Sequence, residues 1–152
     1  MTRRMEQNLT RKPFHILVLL AGIGVALPAG LAYPDDWPTF RKGMWEFQRT
    51  IEGVGGQGTS QTITNKKCTD PTEDMKKQNE TLAKAGCKLS PISRSGNAYN
   101  FTSDCALQGI SAQGKTEIRA ESDSAYTIHI ETRQGKQLTK EVLKARRTGD
   151  CP

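Results

Sequence analysis

The sequence predicts a mainly β domain with one helix: an antiparallel β-meander curled into a half-barrel, the helix between strands 2 and 3, and two disulfides. Three observations carry this. Apolar and polar residues alternate along several stretches after residue 43, the period of half-buried strands. One stretch, opened by Asp70-Pro71-Thr72-Glu73, switches to helical spacing and carries the signs of a helix start. Four cysteines follow an amino-terminal segment of export type, the setting in which thiols pair.

The chain has 152 residues, 35% hydrophobic and 25% charged. That is one domain's length, too polar for a bundle of membrane spans and too regularly apolar for disorder. Arg3, Arg4, Arg11 and Lys12 precede an uncharged apolar run of 12 residues, 16–27. Such a run suits a signal peptide and falls short of the roughly 20 residues that cross a bilayer as a helix. Pro28 breaks it, and Gly30-Leu31-Ala32 places small residues three and one positions before Tyr33. Residues 1–32 are therefore expected to be a signal peptide cut after Ala32, leaving a periplasmic or secreted chain with no membrane span. The competing reading is a retained amino-terminal anchor. Removal takes four of the 22 Lys and Arg and one of the 16 Asp and Glu, so the net charge falls from +6 to +3. The basic balance thus rests partly on residues that are cut off, and no nucleic-acid partner is expected.

Residues 33–42 form an irregular lead-in, with Pro34 and Pro38 blocking regular structure. The β-rich domain is expected over residues 43–152. In the first strand Trp45, Phe47 and Ile51 share one face, with Glu46, Gln48, Thr50 and Glu52 on the other. A Gly-rich loop at 53–58 leads into a Thr-rich strand over 59–67. Asp70 is the expected N-cap, Pro71 the first helical residue and Glu73 the capping-box partner. Met75, Leu82 and Ala85 give the helix only a thin apolar stripe before Gly86, so it should lie on a surface. A hairpin follows, residues 87–94 and 97–107 around Ser95-Gly96. Thr116, Ile118 and Ala120 mark the next strand, and Tyr126, Ile128 and Ile130 the one after the Asp123-Ser124 turn. The last strand should run over 137–145, although Leu138, Val142 and Ala145 also fit helical spacing and Lys140 interrupts the alternation.

Cys68, Cys87, Cys105 and Cys151 stand 19, 18 and 46 residues apart, unlike the close pairs of zinc sites or a redox C-x-x-C. If the helix returns the chain along the sheet, Cys87 and Cys105 meet across the hairpin and Cys68 and Cys151 share the opposite end. A three-residue loop at Ser95-Gly96-Asn97 sets Cys87 directly opposite Cys105. The alternative, Cys68 with Cys87 and Cys105 with Cys151, requires the helix to fold back without changing ends.

These residues in this order resemble a bacterial exported family, the domain of unknown function 3617. The likeness rests on Gly43-Met44-Trp45-Glu46, Cys68-Thr69 before a polar helix, Cys87, Arg94-Ser95-Gly96-Asn97, Cys105, Tyr126 and the ending Arg146-Arg147-Thr148-Gly149-Asp150-Cys151. It covers about residues 42–151. The Gly-rich loop and Phe101 depart from the pattern, which often has Met and Pro in the loop and tryptophan at the second position. The resemblance implies export, paired cysteines and a β-rich fold, and supplies no activity.

No Walker loop, G-x-S-x-G or H-E-x-x-H occurs, and no catalytic residue, metal or cofactor is nominated. His129, beside Glu131 on one strand face, and Asp104 and Asp150, beside cysteines, read as surface and turn residues. Trp45, Phe47, Tyr99, Phe101 and Tyr126 either fill the core or line a concave face that holds a small apolar ligand. Lys140, Lys144, Arg146 and Arg147 could bind a polyanion, or sit solvated and ion-paired. The expected function is a non-enzymatic envelope protein that binds a small apolar ligand or a protein partner. The alternatives are an envelope hydrolase without an identified site and a polyanion-binding surface protein.

Overall fold

The computed structural model describes residues 36–54, 59–107 and 109–152. The expected signal peptide with its cut after Ala32, and the loop tip at 55–58, lie outside the described residues. Among them the chain forms β1 (Gly43–Val54), β2 (Thr59–Thr69), α1 (Pro71–Lys84), β3 (Cys87–Leu89), β4 (Ser93–Ser95), β5 (Ala98–Leu107), β6 (Ile110–Ser122), β7 (Ala125–Gln134) and β8 (Gln137–Gly149). The strands make one open antiparallel sheet in the order β2-β1-β8-β7-β6-β5-β3, with β4 also on β5. β5 to β8 are a meander, and β8 then pairs with β1. That last pairing seats the β1–β2 hairpin beyond β8, so β2 is one edge of the sheet and β3 with β4 the other.

The helix begins as expected. The Asp70 side chain accepts a hydrogen bond from the Glu73 N–H at 3.3 Å, and Pro71 opens the first turn. It has 14 residues and ends before Gly86, whose φ of +97° continues no helix. Two expectations need correction. Residues 87–94 are two short strands, because Pro91 has no N–H for the ladder. At the break Ser90 still holds β5: its N–H donates to the Thr102 carbonyl at 3.0 Å and its hydroxyl accepts the Thr102 N–H at 2.9 Å. The hairpin loop is the two-residue Gly96-Asn97, with Ser95 opposite Ala98. The break at 90–92 then shifts the register by one residue, and this restores Cys87 opposite Cys105. In addition, β8 is a strand as far as Gly149, so the helical alternative is excluded. Its charged residue opposite Ile51 on the core-side face is Glu141, held there by Arg49, and the register against β1 shifts between Arg147 and Gly149.

The ladder registers sort the side chains into two faces. One face carries Trp45, Phe47, Leu143, Ala145, Tyr126, Ile128, Ile118, Tyr99 and Phe101, and Met75 of α1 packs into the same core. The other carries Glu46, Lys144, Arg146, His129, Glu131, Lys115, Glu117 and Arg119 and faces water. The disulfides are Cys68–Cys151 and Cys87–Cys105, with Cα atoms 5.4 and 4.1 Å apart.

The lead-in lacks regular structure from residue 36 to 42, yet it supplies part of the core. Trp45 is fully buried, Pro38 and Phe40 are buried beside it, and Trp37 packs against the same cluster. Polar contacts fasten the segment. The Phe40 N–H donates to Thr72 Oγ1 at 2.9 Å, that hydroxyl donates to the Pro38 carbonyl at 3.0 Å, and Trp45 Nε1 donates to the Arg41 carbonyl at 3.0 Å.

Candidate functional site

A cavity of about 270 Å³ lies between α1 and the core-side face of the sheet. Its origin is the thin apolar stripe of the helix. Met75 packs into the core, and Leu82 with Gln78 and Asn79 lines the helix side of the cavity, while Ser103, Cys105, Ala112, Gly114, Thr116 and Thr132 line its sheet side. Small side chains on the strands below cannot fill the gap, so a space remains where a larger pair would have closed it. Ile118, Ile128, Ile130, Phe101 and Trp37 complete the wall. Trp37 meets Phe101 edge-on with ring centroids 6.0 Å apart. No charged side chain lines the cavity among the described residues. The Asn79 Oδ1 atom is buried and has no hydrogen-bond partner among the described residues.

The aromatics singled out in the sequence all lie on this face, in different roles. Trp45, Tyr99 and Tyr126 are buried core residues. Phe47 is half-buried against them, and Phe101 lines the cavity. Burial, together with the nearby Asp74 carboxylate, holds the Tyr126 phenol above its ordinary range, so it stays protonated. Sequence reasoning missed Trp37, Gln78 and Asn79. Trp37 is an isolated aromatic between prolines, and the two amides, being polar, do not register in the apolar stripe of the helix.

The basic residues near the carboxyl terminus are largely engaged. Lys140 pairs with Glu131 at 3.6 Å and Arg146 with Glu46 at 3.4 Å. Lys144 is exposed on the same outer face. Hydrogen bonds from Lys66 and Arg146 hold the Glu46 carboxyl below its ordinary range. Arg147 is folded inward: its side chain is only 13% exposed, pairs with Asp150 and donates from Nε to the Lys42 carbonyl at 3.0 Å. A Cβ on Gly43 would collide with this guanidinium and lie 2.5 Å from the Gly149 carbonyl oxygen. The ending Arg146-Arg147-Thr148-Gly149-Asp150-Cys151 therefore ties β8 to the start of β1. His129 is exposed on the outer face opposite Glu117, and Asp104 is exposed opposite Lys88.

A larger groove, about 480 Å³, runs over Lys88, Asp104, Lys115, Glu131 and Arg133 on the outer face. Its charges have both signs and it is open to water. Small-molecule sites are mainly apolar with a few placed polar groups, a description that suits the cavity beneath α1. A family model described as "Protein of unknown function (DUF3617)" matches residues 40–151, from the buried Phe40 to the disulfide at Cys151. No curated protein and no solved structure matches the chain.

Proposed function

The chain belongs to the DUF3617 family of proteins of unknown function, and on that premise we propose that it is an exported, non-enzymatic envelope protein that carries a small apolar ligand beneath α1. The observation that carries this reading is the uncharged, partly open cavity of about 270 Å³ beneath α1. Most of its lining is only half-buried, so its apolar surface is left wet when empty and an apolar occupant covers it. Export is supported by the apolar run at 16–27 with its small-residue site ending at Ala32, and by the two disulfides. No helix among the described residues is long and apolar enough to cross a membrane.

Native mass spectrometry of the chain purified from a bacterial periplasm tests the proposal. Extra mass that is lost on denaturation supports a resident ligand. A bare chain, four hydrogens lighter than its reduced form, counts against a tightly held one. It directs attention to a protein partner, which the 55% exposed Ile63 on edge strand β2 would favour.

A further inference from the structure

We propose that the ligand is a neutral, largely apolar molecule bearing one hydrogen-bond donor, and that the Asn79 side-chain oxygen receives that donor. The inference rests on the ligand-carrier reading above and names the class of molecule. Two observations point to it. The cavity wall holds no charged side chain among the described residues, so a carboxylate or ammonium group would be desolvated there without a partner, at a prohibitive cost. A charged amphiphile is thereby excluded from full entry.

The second observation is the amide itself. Asn79 lines the cavity, and its Oδ1 is buried without a hydrogen-bond partner among the described residues. A buried acceptor left unsatisfied is uncommon and costly. Its terminal torsion is soft, and turning the oxygen toward the cavity breaks no hydrogen bond of that atom. A hydroxyl or N–H brought in by the ligand satisfies it, whereas an ether or ketone presents a second acceptor to it. Gln78, Ser103, Thr116 and Thr132 also line the wall, but Asn79 alone among the described residues has a buried side-chain oxygen or nitrogen without a partner. A guest packed as loosely as an organic liquid occupies about half of the space, which suits a bicyclic molecule of naphthol size.

Equilibrium dialysis of the full exported chain against three probes tests this: 2-naphthol, its methyl isostere 2-methylnaphthalene, and 2-methoxynaphthalene. The expected result is that 2-naphthol binds about tenfold more tightly than 2-methylnaphthalene, with 2-methoxynaphthalene weakest. In Asn79→Leu the first two should bind equally. Equal binding of the first two by the unaltered chain overturns the donor inference and leaves the carrier reading standing. Tightest binding of the methoxy compound overturns it too, since the amide would then be donating. Binding of none of the three overturns the carrier reading itself. Should the Asn79→Leu chain fail to fold, the comparison among probes on the unaltered chain still decides.

Discussion

Phe40, in a segment without regular secondary structure, lies against Tyr126 of β7 with ring centroids 4.5 Å apart. The same ring meets Trp45 edge-on at 6.1 Å, so the lead-in is a wall of the core. Phe40→Ala should therefore cost about 3–5 kcal/mol, the range for emptying a buried aromatic site. Urea unfolding of the oxidised chain checks this. A loss below about 1 kcal/mol would mean that the segment merely drapes over the sheet.

The two staples should differ in strength. Cys68–Cys151 closes a separation of 83 residues and Cys87–Cys105 one of 18. In the chain-entropy model these contribute about 4.5 and about 3 kcal/mol. The double variant Cys68→Ala/Cys151→Ala should accordingly melt below Cys87→Ala/Cys105→Ala. The reverse order in a calorimetric comparison would show that the short staple, at the carboxyl end of α1, matters through packing more than loop closure.

Asp74 gives the fold a sensitivity to acid. Burial pushes its carboxyl upward, but hydrogen bonds from the Thr69 hydroxyl at 2.5 Å and Lys67 Nζ at 2.9 Å, with the nearby lysine charges, outweigh that and hold it below the ordinary aspartate value. A group whose folded value is depressed contributes stability above its unfolded value, near pH 4, and loses it as the pH falls through the folded value. Denaturant midpoints measured from pH 7 down to pH 3 should thus decline more steeply for the unaltered chain than for Asp74→Asn. Parallel curves would remove Asp74 from the account of how α1 is held to β2.

Much of this architecture was legible in the sequence because it is local. The alternation around Trp45 and Tyr126 and the Asp70 cap depend on neighbours, whereas the pairing of Cys87 with Cys105 was read from a three-residue loop that is in fact a two-residue turn compensated by a one-residue shift. What was not legible depends on distant segments meeting. The pairing of β8 with β1 joins opposite ends of the domain. The core role of Trp37 and Phe40 has no periodicity to betray it. The register shift at Ser90-Pro91-Ile92 could only be seen once the Gly96-Asn97 turn was known. The cavity is a case of its own: the sparse stripe of α1 was plain, but its meaning required knowing that Ala112 and Gly114 line the same cavity as Asn79.

Filling the cavity should abolish carriage without harming the fold. Ala112 lines the wall and is only partly exposed, so Ala112→Leu places added methyl groups where a ligand would sit. Affinity for 2-naphthol should fall at least tenfold while the melting temperature holds or rises, as is common for cavity-filling changes. Unchanged affinity with an unchanged melting temperature would place the binding site elsewhere.

Whether the cavity beneath α1 is the binding site is tested most directly by a methyl NMR titration of the oxidised chain with 2-naphthol. Shifts are expected at Met75, Leu82, Ile118, Ile128 and Ile130, which line the cavity, with little change at Leu138, which borders the outer groove. Shifts centred on Leu138 and the outer face, or none at all, would contradict this assignment.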